Sequence, residues 1–345
     1  MEVLFLDVGF GTSNVILTGS SSAIVIDVAR QFQQTQAALN QFAVTRIDHL
    51  ILSHWHEDHL GGALAFLRAF RGRIGMVWFP FDERFKESKL WAELVDQVRT
   101  GALGQSDVRA LMVDSFGVRT LWTSRPRQAR LEIVSPCFME SLTGVAANDP
   151  NASCGILVLW VGDRAVVFGG DALLSQWQSA RERVGDVIQA EALSVPHHAG
   201  VIWPSNLTAQ QVDRALDVLY SQVVQPKVAI ISTGTRPGND HPRSDVIRAL
   251  RRAGAKVLCT QMTRRCTSDL ERTRLLQLQT VARSAPGRSS PVRSAKSSGA
   301  SNHVACAGSV FLELATTGST VHQLASHDTF LASVPCSAKR SPMCG

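Results

Sequence analysis

The chain has 345 residues, 45% apolar and 19% charged, ordinary globular values that leave room for two domains or one large α/β domain with an appendage. No apolar run approaches the roughly 18 residues of a membrane span, and the first residues carry Glu2 and Asp7 rather than a basic leader, so a cytoplasmic protein without membrane insertion is expected. The formal charge of +6 is concentrated between Arg264 and Ala305, where eight basic residues face two acids.

In chain order, Val3–Val8, Asn14–Leu17 and Ala23–Val28 read as three short strands joined by turns, the pattern of an antiparallel meander. Gln31–Phe42 has helical periodicity, His49–Leu52 is a strand, and Leu60–Phe70 is a helix. Val77–Phe79 follows as a strand and Lys86–Arg99 as a helix. Ile156–Val161 and Ala165–Phe168 make a hairpin about Gly162-Asp163. Helices at Leu173–Val184, Ala209–Val223 and Ser244–Arg252 then alternate with strands at Ala192–Val195, Val228–Ser232 and Lys256–Thr260. Strands then helices, twice over, suit two mixed sheets packed face to face with helices outside, an α/β layered fold.

Between the strand at His49 and the helix at Leu60 lies Ser53-His54-Trp55-His56-Glu57-Asp58-His59. Imidazole and carboxylate are ligands of Zn²⁺ and similar ions. The two-residue spacing of extended chain turns His54 and His56 to one side, and Asp58 and His59 at the helix start serve a second ion. Three further strand ends carry the same chemistry. Phe168-Gly169-Gly170-Asp171 offers a carboxylate placed to bridge two cations, and Val195-Pro196-His197-His198 offers paired imidazoles. Asp27, ending Ile24-Val25-Ile26, is expected to orient a ligand histidine and so to belong to the catalytic apparatus.

The run H-x-H-x-D-H followed by Gly61-Gly62 resembles the signature of the metallo-β-lactamase superfamily, which implies an αββα sandwich with the site at one edge between the sheets. No histidine lies between His59 and His197, where that superfamily usually supplies one more. The region there, Asn148 to Gly155 and the strand after it, resembles the soluble domain of ComEC-type competence proteins. So do Leu6-Asp7-Val8-Gly9-x-Gly11-x-Ser13-Asn14, Val195-Pro196-His197-His198 and Asn239-Asp240-His241-Pro242. The resemblance covers about residues 1 to 262. It implies that His54 and His56 hold one ion, with Asn151 or Ser153 in place of the missing imidazole. Asp58, His59 and His197 would hold the other, and Asp171 would bridge them. An oxygen-richer first position tolerates Mn²⁺ as well as Zn²⁺.

Two such ions activate water for hydrolysis. His241, near Arg236 and ahead of the helix from Ser244, is placed to donate a proton or hold a phosphate oxygen, so Asp58, His241 and Asp27 form the expected catalytic set. The basic stretch points to a nucleic-acid or phosphodiester substrate, and a phosphodiesterase or DNA nuclease is the expected activity. A lactam, lactone or cyclic-nucleotide hydrolase, or a catalytically weak metal-binding module, stays open. Residues 1–262 form the expected hydrolase domain, 263–305 a basic linker or solvated insertion, and 306–345 a small appendage. Seven cysteines argue against a disulfide framework. Cys266, Cys306 and Cys344 are candidates for an additional structural Zn²⁺, with ordinary buried thiols as the alternative.

Overall fold

Alternate side chains of each strand face opposite ways, and here they divide between different cores. The computed structural model describes residues 1–113, 117–125, 128–235, 241–283, 304–324 and 327–340, the side chains of 280–283 excepted. The chain opens with β1 (Glu2–Phe5), β2 (Asn14–Leu17), β3 (Ser22–Ile26), β4 (Arg46–Ile51), β5 (Ile74–Phe79) and β6 (Val108–Ala110). It continues with β7 (Arg119–Thr123), β8 (Ala129–Ser135), β9 (Ile156–Val161), β10 (Arg164–Phe168), β11 (Ile188–Ser194), β12 (Val224–Ile231) and β13 (Lys256–Cys259). It closes with β14 (Val310–Ala315) and β15 (Gly318–His322). One sheet has the order β15-β14-β1-β2-β3-β4-β5-β6 and the other β13-β12-β11-β10-β9-β8-β7.

Val3, Phe5, Ile24 and Ile26 of the first sheet meet Leu157, Leu159, Val166 and Phe168 of the second in the central core, where the Phe5 and Phe168 rings lie 5.8 Å apart. The alternate residues Leu4, Ala23 and Val25 face outer helices through Leu39, Phe66 and Leu67. Ile156, Val158, Ala165 and Val167 do the same beneath Trp177, Leu216 and Leu250. The result is the αββα sandwich. Each fully buried Val, Leu or Phe contributes about 1.5–3 kcal/mol. Phe168→Ala would cost about 3–5 kcal/mol by opening a cavity between the sheets.

β3 to β6 run parallel, as do β10 to β13, so the carboxyl ends of both sets open on one edge of the sandwich. The expected meander is present, β1 to β3 being antiparallel. The expected helix from Leu60 is instead a turn at Glu57–Leu60 and a helix at Ala63–Ala69. Gly61-Gly62 interrupts it because the chain crosses another strand end there: a Cβ on Gly62 would lie 2.2 Å from the Ala29 carbonyl oxygen. The C-terminal segment is not a separate appendage in its strands, since β14 pairs with β1 in the first sheet. Strands β6, β7, β8 and β15 have no counterpart in the sequence expectations. In β7 and β8 arginine, threonine and glutamate interrupt the apolar pattern, and pairing with a neighbour rather than local preference sets them.

Candidate metal centre

Four strand ends deliver the site. After β3, Asp27 turns with φ +60 and its amide donates to the Ile51 carbonyl at 2.8 Å, welding it to the end of β4. Its carboxylate accepts from the Ser53 amide and from Ser53 Oγ, both at 2.7 Å. The same oxygen that takes the hydroxyl faces His59 Nδ1 at 2.8 Å. Asp27 therefore fixes the His59 ring and leaves Nε2 aimed into the site. It touches no open face of the centre and acts by positioning.

After β4, His54 is fully buried, with Nδ1 3.0 Å from Ser53 Oγ and 3.5 Å from Cys154 Sγ. Its Nε2 meets His56 Nδ1 at 3.0 Å. Asp58 hangs from a loop whose carbonyl accepts from the Thr12 amide. A Cβ on Gly11 would strike that carbonyl at 2.4 Å, so only glycine fits there.

After β10, Gly170 lies at φ +49 against Cys154 Sγ, where a Cβ would come within 2.4 Å. Asp171 follows, 1% exposed, its amide donating to the same sulfur at 3.0 Å. One carboxylate oxygen, Oδ1, is 3.0 Å from His59 Nε2. The other, Oδ2, faces His54 Nε2 at 3.5 Å, His56 Nδ1 at 3.9 Å and His197 Nε2 at 3.7 Å.

After β11, three successive residues that are not glycine take the left-handed conformation: His197 at φ +51, His198 at +52 and Ala199 at +60. Each costs about 1–2 kcal/mol against the right-handed form, and such strain gathers at functional sites. The turn sends the two adjacent rings in different directions. His198 Nδ1 donates to the Ser232 carbonyl at 2.7 Å, and its Nε2 lies 3.1 Å from Asp58 Oδ2. His197 Nδ1 donates to the Val201 carbonyl at 2.7 Å.

Two trios of metal-capable side chains result: His54, His56 and Asp171, and Asp58, His59 and His198, with ligand atoms within 4.8 Å of one another in each. The residues fit divalent ions. His59 Nε2 and Asp171 Oδ1 are buried and, among the described residues, have no aligned hydrogen-bond partner, although they lie 3.0 Å apart. Both lone pairs face shared space, as two ligands of one ion do. Burial alone would lower the His59 pKa, but the Asp171 and Asp27 carboxylates reverse this and hold it well above the usual range. The field that retains a proton there suits a cation. Burial likewise favours neutral Asp171, and the His59 and His54 imidazoles overturn it, holding the carboxyl well below its usual range. Asp58, also lifted by burial, is pulled down by its bond to His198 and by His59.

The expected ligands His54, His56, Asp58, His59 and Asp171 are thus brought together. The second trio corrects one expectation. His198, not His197, stands beside Asp58 and His59, because the left-handed turn swings the second imidazole of the pair toward the first sheet. Of the expected substitutes, Ser153 Oγ donates to the Pro150 carbonyl and Asn151 Oδ1 is buried, while their neighbour Cys154 is the residue in contact with His54. A cysteine beside a glycine before a strand was the available signal for it.

The His241 ring centroid is 5.2 Å from that of His197 and 6.2 Å from that of His198. Burial, reinforced by His198 and His197, pushes its pKa down to about 4. Arg236, Asn239 and Asp240 lie outside the described residues, as do Cys344 and residues 284–303 of the basic stretch. Cys266 and Cys306 are buried in the core beneath the second sheet. The sulfur of Cys266 faces Thr263 Oγ1 at 3.6 Å, that of Cys306 faces His327 Nδ1 at 3.8 Å, and neither belongs to a metal-capable trio among the described residues.

An αββα sandwich with histidine and aspartate trios at one sheet edge defines a metal-binding hydrolase fold. Residues 6–202, more than half of the chain, match the model of the metallo-β-lactamase superfamily, to which this chain belongs. It is 25% identical over 226 residues to ComE operon protein 3 of Bacillus subtilis, in line with the resemblance seen in the motifs. That match takes in 63% of this chain and only 24% of the Bacillus protein, so the chain spans about a quarter of its relative's length. Among solved structures, Zn²⁺-bound PqqB from Methylobacterium extorquens matches with a TM-score of 0.44 and 12% identity, over 75% of this chain and 98% of that one. The short form of human tRNase Z matches with a TM-score of 0.42 and 13% identity, over 68% and 94% respectively. No helix of the described residues is long and apolar enough to cross a membrane.

Proposed function

We infer that this chain is a metal-dependent phosphodiesterase, acting on nucleic acid as a nuclease, with two divalent ions, Zn²⁺ or Mn²⁺, at the sheet edge. The observation that carries the reading is the Asp171 carboxylate, whose Oδ1 faces one trio and Oδ2 the other. His54, His56 and Asp171 would hold one ion, and Asp58, His59, His198 and Asp171 the second. When bound, the pair supplies water activation and neutralisation of the attacked group. The protein's own part is to fix ring orientation through Asp27, Ser53 and the Ser232 carbonyl, and to keep Asp171 and Asp58 ionised.

A phosphodiester substrate is supported by the basic stretch Arg264–Ala305 of the sequence and by the His241 loop. The Arg243 amide donates to the Ala199 carbonyl at 2.9 Å, docking the start of helix Ser244–Arg252 on the histidine turn. The resemblance of the motifs to ComEC-type competence proteins adds to this reading. A second reading, turnover of a small lactam, lactone or cyclic nucleotide, draws on an apolar groove of about 860 Å³ lined by Leu173, Trp177, Ile202, Trp203 and Leu207, a volume suited to a small molecule.

The deciding experiment offers purified protein single- and double-stranded DNA, a chromogenic phosphodiester, a cyclic nucleotide and a chromogenic lactam under Zn²⁺, Mn²⁺ and Mg²⁺. Cleavage of DNA and the chromogenic phosphodiester, abolished by a chelator, is expected. Lactam or lone cyclic-nucleotide turnover would favour the second reading, and no turnover with metal bound would leave a binding module.

A further inference from the structure

The first trio has only two imidazoles, and the sequence offers no histidine between His59 and His197 to supply a third. We propose that His197 supplies it, so that the adjacent histidines of one turn are divided between the two ions, His197 completing the first and His198 the second. The proposal rests on the two-ion reading and assigns a ligand within it.

Three observations carry it. His197 Nε2 lies 3.7 Å from Asp171 Oδ2, the oxygen also faced by His54 at 3.5 Å and His56 at 3.9 Å, and not from Oδ1, which faces His59. Its Nδ1 is occupied by the Val201 carbonyl at 2.7 Å, the same arrangement that fixes His198 on Ser232. A backbone carbonyl on one ring nitrogen sets the tautomer that leaves the other free to ligate. Finally, both residues are left-handed, and the turn they make sends the two rings to different carboxylates, His197 to Asp171 and His198 to Asp58.

His197 stands just outside the first trio, which comprises only His54, His56 and Asp171. Its side chain is 24% exposed, so a small swing about the Nδ1 anchor brings Nε2 inward without disturbing the core. Ser153, by contrast, is turned to Pro150, and Cys154 approaches His54 on its Nδ1 side, away from the nitrogen that faces Asp171.

The test counts ions. Metal-stripped full-length chain is titrated with Co²⁺ and Mn²⁺, and binding is read by calorimetry and, for Co²⁺, by visible absorption. The unaltered chain should bind two ions. His197→Ala should weaken one of them by more than the roughly 10–100-fold that loss of an orienting partner causes, and His198→Ala should weaken the other. Pairing locates His197: His56→Ala with His197→Ala should still retain one ion, whereas His197→Ala with His198→Ala should retain none. His197→Gly, which relaxes the positive φ, should lose the same ion as His197→Ala, separating ligand loss from misfolding. Two ions bound by His197→Ala with unaltered affinity would overturn the proposal. So would the reverse pairing result, which would put His197 on the second ion. Failure of the unaltered chain to bind two ions would instead overturn the two-ion reading beneath it.

Discussion

The two trios of the centre are built from similar side chains and supported very differently. In the second, each ligand is tied behind: His59 to Asp27, His198 to the Ser232 carbonyl, and the Asp58 backbone to Thr12. In the first, His54 leans on Ser53 Oγ and on a cysteine sulfur, a weak partner, while His56 is 38% exposed. Preorganised ligands lose less freedom on binding an ion. The contrast therefore predicts one tight ion and one loose one, and it locates the loose ion at the first trio.

Asp171→Ala removes the carboxylate whose two oxygens face the two trios and should have the largest effect. Both affinities should fall, and hydrolysis should drop by more than about 100-fold, beyond the range for outer partners. Calorimetry and a chromogenic assay check it, and loss of one ion alone would show that the carboxylate does not bridge.

Asp27→Asn probes the well-supported half. It keeps the shape but loses the charge behind His59, and should weaken the second ion by about 10–100-fold while sparing the first. Equal loss at both positions would erase the contrast. Cys154→Ala probes the poorly supported half and should cost the first ion only a few-fold, below Asp27→Asn, since sulfur is a weak hydrogen-bond partner.

The sheets and most of the centre were legible because the chemistry sits at strand ends. An apolar run followed by His54, Asp171 or the histidine pair announces both the strand and a polar side chain delivered to the cluster at its end. The choice between His197 and His198 was not legible, since it depends on three left-handed residues that no side-chain preference encodes. Cys154 was hidden for a similar reason, its role arising from Gly170 passing within reach of the sulfur. The place of β14 beside β1 is set by pairing across more than 300 residues, a separation no local pattern records.

The smallest expected effect lies away from both trios. Burial raises the Asp7 carboxyl to about 7, against lowering by Gln261 and the Gly9 amide. Above pH 3.8 the unfolded chain releases this proton first, so the folded state binds more protons and stability falls as pH rises toward 7. Asp7→Asn should lessen that fall, giving a larger gain in melting temperature at pH 8 than at pH 4. An equal change at both values would mean that Asp7 does not titrate as its burial dictates.

Metal content after dialysis of the full-length chain against micromolar Mn²⁺ or Zn²⁺, read by elemental analysis beside Asp171→Ala, bears on the central claim most directly. The two-ion reading predicts about two ions per chain, with the content of both positions falling in the variant. No bound metal, or a content that Asp171→Ala leaves unchanged, would contradict a two-ion centre at this sheet edge.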